Sequence, residues 1–407
     1  MTTEYRNLTE DDYEQAAKLE QRAFYNKVDP TYAERMKDIF RPEWTVGAFV
    51  DGRLVADTRT IPHVRWMHGG QTAFGGIGPV TCEAAFRRQG HVARLLTLAL
   101  EQMRERGQWL AGLHTPHDGL YQRFGWERAE HKKRYKFKPQ NFRLRSRGPR
   151  GRTAPLTPDD WQRMNAVYEA AYRPLNGAFE RSELWWRESI MNTWDAGGRV
   201  PTDAVLWIDE QGRDRGYVVY LDRALASLDG GWTPHQIWIR DFCALDGDAY
   251  RALWEHMLTH DLADSITVEM HPDDRFRDLA ENPFDVTVTV DEGAMYRIVD
   301  IERAIGERPY VGHRPASVTI AIEDRTLDWN TGAWRIEGGE AGMRAEKTDA
   351  DPDFEMSINM LAPLFSGYTT PRVLANNGFI RVHREESLAD LTELFTVADS
   401  PYCPDFY

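Results

Sequence analysis

The sequence predicts an α/β chain: two tandem copies of one α/β unit, followed by a smaller α+β domain. Three observations carry this reading. One order of elements occurs twice, the composition is that of a globular protein throughout, and the pattern changes near Tyr310.

The copies open alike. Thr9-Glu10-Asp11-Asp12-Tyr13 precedes a helical pattern with Ala16, Leu19 and Ala23 on one face. Thr157-Pro158-Asp159-Asp160-Trp161 precedes another, with Met164, Val167, Tyr168 and Ala171. A Thr cap with acids in the first turn meets the unpaired N–H groups and the positive end of the helix dipole. Proline suits the second start, where its missing donor is not needed. Each copy continues with a β-hairpin: Trp44 to Val50 turning at Asp51-Gly52 into Arg53 to Ile61, and Ala204 to Ile208 turning at Gln211-Gly212 into Gly216 to Leu221. A strand follows (Gly76 to Glu83; Gln236 to Ala244), then an amphipathic helix, then a strand ending in a histidine turn, His114-Thr115-Pro116 or His271-Pro272. The basic stretch Arg143 to Arg152 separates the copies, so the expected domains are 1–150, 151–305 and 306–407. The last has short strands (Ala316 to Glu323, Ala333 to Glu337, Met343 to Thr348), an apolar helix Met356 to Phe365 and a final helix Ser387 to Phe395.

A chain of 407 residues exceeds one ordinary core. Hydrophobic residues make up 42% and charged residues 28%, a globular rather than a disordered balance. No run of about 18 apolar residues and no secretory pattern at Met1-Thr2-Thr3 occurs, so no membrane span and a cytoplasmic setting are expected. Cys82, Cys243 and Cys403 lack metal-ligand spacing and read as reduced thiols; no metal is expected. A net charge of −14 argues against nucleic acid and weakly favours cationic partners.

In the first copy, strand Val80-Thr81-Cys82-Glu83 leads into Arg87-Arg88-Gln89-Gly90-His91-Val92-Ala93 and a helix with Val92, Leu95, Leu96, Ala99 and Met103 on one face. Glycine at the entrance admits a ligand to the backbone, successive N–H groups at a helix start bind anions, and two arginines add charge-assisted bonds to a pyrophosphate. Arg-x-x-Gly before a helix is by itself common. The second copy has Leu245-Asp246-Gly247-Asp248 there, and those carboxylates would repel a pyrophosphate, so only the first copy is expected to bind one.

The strand, the Arg87-x-x-Gly90-x-Val92 turn and Leu120-Tyr121-Gln122-Arg123-Phe124-Gly125-Trp126 resemble the GNAT superfamily of N-acetyltransferases. Its usual turn is Gln/Arg-x-x-Gly-x-Gly/Ala, and Val92 departs at the last position. The whole plan resembles the Eis (enhanced intracellular survival) family, whose third domain is similar to sterol carrier proteins. That resemblance implies acetyl-coenzyme A as cosubstrate, held by Val80, Thr81, Cys82, Arg87, Arg88, Gln89, Gly90, His91, Val92 and Ala93. It implies Tyr121 as general acid, the C-terminal carboxylate of Tyr407 as general base, and His114 as a second candidate base or an orienting group. It implies a homohexamer that acetylates cationic amines, aminoglycosides at several positions among them. Phe24, Tyr25 and Asn26 fall where the family lines its acceptor pocket; Asp118 and Asp405 are further acids for an amine. A covalent role for Cys82 is disfavoured, since no His partner stands at motif spacing. The competing readings are a lysine acetyltransferase acting on proteins or peptides and, in another class, a lipid carrier built on Met360-Leu361-Ala362-Pro363-Leu364-Phe365. For that stretch a packed core is the favoured reading, because helical apolar stripes usually pack.

Overall fold

The structure, a computed structural model, describes residues 2–24, 41–146, 148–195, 198–225 and 233–407. Both copies of the α/β unit form. Each helix start is locked by a carboxylate reaching back: Asp12 accepts from the Thr9 N–H at 2.8 Å, and Asp160 from the Thr157 N–H at 2.9 Å. The helices they open, Tyr13–Ala23 and Trp161–Tyr172, each cover one face of a sheet. The opposite faces take the amphipathic helices His91–Glu105 and Gly247–Met257, which bury Leu95, Leu96, Ala99 and Met103 in one copy and Ala249, Leu253, Trp254 and Met257 in the other.

The first sheet runs Thr3–Asn7, Thr45–Val50, Arg53–Met67, Gly70–Cys82, Leu110–Leu113, Met295–Ile298, Glu127–Arg128, with Asn176–Phe179 added against Arg53–Met67. The second runs Val286–Glu292, His131–Phe137, Ser265–Met270, His235–Ala244, Asp214–Ala224, Asp203–Asp209, Gly151–Leu156. The sheets therefore cross the linear division at 150. Met295–Ile298, late in the second copy, pairs with Leu110–Leu113 of the first; His131–Phe137, late in the first, pairs with Ser265–Met270 of the second. Each unit lends a strand to the other.

The third part is a five-stranded sheet (Gly342–Lys347, Gly332–Gly339, Ala316–Glu323, Phe354–Ser357, Arg381–Val382) backed by helices Ile358–Ser366 and Leu388–Leu394. Its apolar helix buries Leu361, Ala362, Leu364 and Phe365 in one continuous core with Phe74, Leu110, Tyr296 and Ile298 of the first sheet. The stretch weighed as a lipid cradle thus packs as core.

Candidate active site

Glycines inside strands mark places where something must approach the backbone closely. Strand Gly70–Cys82 pairs in parallel with Leu110–Leu113 only from Phe74↔Leu110 to Gly76↔Gly112. The first strand then runs on to Cys82, and the two part. At the fork the C-terminus inserts: a Cβ on Gly76 would lie 2.7 Å from Tyr407 Cδ2, and one on Gly112 2.7 Å from the Tyr407 hydroxyl. A side chain at Gly76 would displace the Tyr407 ring, and one at Gly112 would collide with both Phe74 and Tyr407.

Around Tyr407 stand His114, His63, Phe179 and Phe74, with ring centroids 4.9, 5.5, 5.1 and 5.7 Å away. Phe406 covers His114 at 4.6 Å. Burial, and then the charges of Lys132, Arg128 and Arg65, push the His114 imidazole down to about 3. Burial likewise takes His63 to about 4. Both rings are neutral at working pH, and both have a buried Nε2 without a hydrogen-bond partner. Trp185 meets His63 edge-on at 5.5 Å. Of these rings, His63, Phe179 and Trp185 line a pocket of about 820 Å³ with Trp44 and Ile61, and Arg59, Arg106, Arg181, Glu180 and Glu188 are among its charged groups.

Tyr121 is on the other face of the same sheet. Its ring packs with Trp126, Leu95, Leu96 and Ala111, and Val80, Cys82 and Val92 pack against that cluster. Burial lifts its phenol to about 12, so it stays protonated and able to donate. Its segment is held by the third part of the chain and by the strand Met295–Ile298 lent from the second copy. Asn359 Nδ2 donates to the carbonyls of Gln122 and Trp126, both at 2.9 Å, and Arg297 Nε to that of Phe124 at 2.8 Å.

Between the two faces runs the strand the sequence assigned to the cofactor. The Glu83 N–H donates to Val55 O at 2.8 Å, so strand alternation turns the Val80 and Cys82 N–H groups away from that neighbour, toward the opening. Thr81 turns its hydroxyl the other way, to Asp57. The Cys82 carbonyl accepts from Arg87 Nε at 3.3 Å. Burial raises the Cys82 thiol above its ordinary range, which makes it a poor nucleophile.

The turn itself differs between the copies as its charges require. Arg88 has φ +62° and Gly90 φ +88°, and no side chain caps helix His91–Glu105, which leaves its first N–H groups open to an anion. Arg87, Arg88, Gln89 and Gly90 are exposed, and neither arginine forms an ion pair among the described residues. His91 contributes only backbone, since its ring is buried and bonded to the Tyr5 hydroxyl at 3.0 Å. Beside the turn lies a cleft of about 380 Å³ carrying Lys18, Arg22, Arg53 and Arg87 against Glu83. In the second copy the Asp246 carboxylate caps its helix, accepting from the Asp248 and Ala249 N–H groups at 3.0 and 2.8 Å. The groups that would hold a phosphate are occupied there by the protein's own acid. The residues of the first turn fit the pyrophosphate of coenzyme A; those of the second do not.

Other expected site residues are placed elsewhere. Phe24 ends the first helix, 52% exposed, while Tyr25 and Asn26 lie outside the described residues. Asp118 is engaged by Arg128, whose Nε lies 2.7 Å from it, and is not part of the aromatic pocket. Asp405, considered as an acid for a substrate amine, is instead buried against Arg181, with Nε–Oδ2 at 3.0 Å. His63, Phe179, Trp185, Arg181 and Asp57 escaped the sequence reading. The one available signal was the run Gly75-Gly76-Ile77-Gly78 with Gly112, glycines in strands that must admit a close neighbour.

Residues 4–129 match a family model described as an acetyltransferase (GNAT) domain, and residues 177–298 match a second of the same description. Residues 301–404 match a sterol carrier protein domain. A relative in Streptomyces avermitilis, described as an uncharacterized N-acetyltransferase, is 26% identical over 90% of this chain and 89% of its own. The N-acetyltransferase Eis of Mycobacterium tuberculosis is 23% identical over 79% and 77%. Among solved structures, a GCN5-related N-acetyltransferase from Anabaena variabilis superposes over all of both chains with a TM-score of 0.88 at 19% identity. Eis1 from Mycobacterium abscessus does so with 0.82 at 23%. An anion-ready turn in one copy, its closure in the other, and a strand fork in the first sheet agree with these likenesses: the chain belongs to the GNAT family as an Eis-like, acyl-coenzyme A-dependent N-acetyltransferase.

Proposed function

We propose that the enzyme moves acetyl from acetyl-coenzyme A to amines of a cationic small molecule, aminoglycosides included, at more than one position, by direct attack. The observation that carries this reading is the fork beyond Gly76 and Gly112, with Tyr407 on one face and Tyr121 on the other. Bound at the Arg87–Ala93 turn, acetyl-coenzyme A supplies a thioester whose carbonyl is open to an amine. The protein's part is to remove a proton from the amine, stabilise the oxyanion and protonate the leaving thiolate. The Tyr407 carboxylate suits the first task, since the Tyr407 ring packs beside His63 and Phe179 of the aromatic pocket. The outward N–H groups of Val80 and Cys82 suit the second. The Tyr121 phenol, kept protonated by burial, suits the third. His114, neutral and packed on Phe406 and Tyr407, orients the tail rather than holding a charge.

A pocket of about 820 Å³ with an aromatic wall suits a whole small molecule, which favours that acceptor over an extended lysine peptide. The net charge of −14 favours a cation on approach. The family resemblance supports a cytoplasmic homohexamer, which light scattering tests.

Thiol release from acetyl-coenzyme A, measured with kanamycin-type amines and with a lysine peptide, is the deciding assay. Turnover of the aminoglycosides alone is expected. Tyr121→Phe is expected to lower kcat by roughly 10²-fold at unchanged KM for acetyl-coenzyme A. Residues appended after Tyr407 are expected to abolish turnover. A lysine peptide as the preferred acceptor, or full activity with an extended tail, would sink the respective parts.

A further inference from the structure

The second unit has the fork of the first without its cofactor turn. His235–Ala244 pairs in parallel with Ser265–Met270 only from Gln236↔Ser265 to Ile239↔Val268, and beyond that the strands part. We propose that this vacated opening has become the receptor for the chain's own C-terminal segment, and that Arg181 and Asp405 are positioning residues that set the terminal carboxylate at the first unit's fork.

The tail lies along both lips of the opening. The Tyr402 hydroxyl donates to Glu269 O at 3.3 Å, and Arg240 Nη1 donates to Pro404 O at 3.2 Å. The strongest hold is on Asp405. Its carboxylate accepts from Arg181 Nε at 3.0 Å, from Trp185 Nε1 at 2.8 Å and from the Tyr168 hydroxyl at 3.4 Å. Arg181 also binds Asp241, which accepts from the Tyr217 hydroxyl at 2.9 Å. Arg181, Asp241 and Asp405 are 4%, 4% and 2% exposed. Burial alone would raise the Asp405 carboxyl, and the charges of Arg181 and Arg240 outweigh it and hold it below its ordinary value. Breaking one member leaves buried charge uncompensated, so the contact is strongly directional.

Asp405 is the last residue anchored this way before Tyr407. Two extended residues span at most about 7 Å. Holding Asp405 therefore confines Tyr407, whose ring lies against Gly76 and Gly112, and keeps its carboxylate within a short arc of that fork. On this reading the second unit serves catalysis by delivering the tail across to the first. The proposal rests on the Tyr407 carboxylate being the base.

The test uses the full chain in three forms: wild type, Asp405→Asn, and one with residues appended after Tyr407. Thiol release is followed with an amine that the wild type turns over, acetyl-coenzyme A affinity by calorimetry, and backbone protection by hydrogen exchange. The Asn side chain keeps the shape and the acceptor for Trp185 but removes the charge facing Arg181. Expected for D405N are a fall in kcat of roughly ten-fold or more at unchanged Kd and KM for acetyl-coenzyme A, and faster exchange at 404–407 with helix 91–105 unaltered. D405N with wild-type kcat and tail protection, beside an inactive extended form, overturns the clamp and leaves the carboxylate as base. An active extended form overturns the carboxylate itself. Should D405N not fold, Tyr168→Phe, which removes a hydroxyl donor to Asp405 and lies outside the acceptor pocket, is read against the same outcomes.

Discussion

Asp57 shows how one residue's surroundings become a property of the whole protein. It lies on strand Arg53–Met67, accepts from the Thr81 hydroxyl and sits beside the buried Glu20–Arg59 pair. Burial first, and then the charge of Glu20, raise its carboxyl from 3.8 to about 7. The folded state thus holds a proton that the unfolded chain releases near pH 4, so folding takes up a proton between the two values. The contribution of this group is full below its unfolded pKa and is lost as pH rises through about 7. Asp57→Asn fixes the neutral form and keeps an acceptor for Thr81. Its stability relative to wild type, read as a difference in Tm, is expected to rise from about pH 4 to about pH 7 at about 1.4 kcal/mol per pH unit and to level off above that. A difference that stays flat over that range would show Asp57 to be an ordinary carboxylate. His63 and His114 move the opposite way, to about 4 and about 3, so neither accounts for a limb near neutral in the activity profile.

At the scale of elements, the two turns that differ most in charge make opposite predictions. Gly90 holds φ +88° at the entrance of its helix, and alanine there is strained by on the order of 1 kcal/mol. Gly90→Ala is expected to raise KM for acetyl-coenzyme A several-fold while the rest of the fold persists. Asp246→Ala removes a cap and is expected to cost about 1 kcal/mol of stability, read by denaturant melts, with no change in that KM. Equal effects of both on acetyl-coenzyme A would deny the turns their separate roles. Both turns were legible in the sequence, as were the hairpins of the two copies, their amphipathic helices and the two capped starts, because each is decided by neighbours close in the chain. Helices Ile301–Glu307 and Pro371–Asn376 were not read, and the helix expected from Met356 begins at Ile358. His131–Phe137 and Met295–Ile298 were not read in the sequence as strands. Period-two alternation says which face of a strand is buried and nothing about which strand lies beside it. For the same reason Arg65, Arg181, Arg297 and Arg308 escaped notice. They are buried here, and partners such as Glu130 for Arg65 and Asp405 for Arg181 come from distant parts of the chain.

At the scale of the molecule, the lent strands bind the three parts into one folding unit. Met295–Ile298 fills the slot between Leu110–Leu113 and Glu127–Arg128, and its Arg297 reaches Asp324 of the third part through two bonds at 2.8 and 2.6 Å. His131–Phe137 has both of its sheet neighbours, Ser265–Met270 and Val286–Glu292, in the second copy. A fragment cut at residue 150 would therefore leave an empty slot in its own sheet and carry a strand without either neighbour, exposing Tyr135 and Phe137, which are buried in the second unit's core. The Tyr121 segment would also lose the Asn359 and Arg297 bonds that hold its carbonyls. Residues 1–150 expressed alone are expected to give no cooperative thermal transition by circular dichroism, although the segment holds the whole cofactor turn. Co-expressed with 151–407, the fragment is expected to co-purify and to melt cooperatively, because each part then supplies the strand the other lacks. A soluble, cooperatively melting 1–150 would mean that His131–Phe137 closes its own sheet when free. In that case the exchange would add little to stability, and the acetyltransferase unit would not depend on the rest of the chain for its fold.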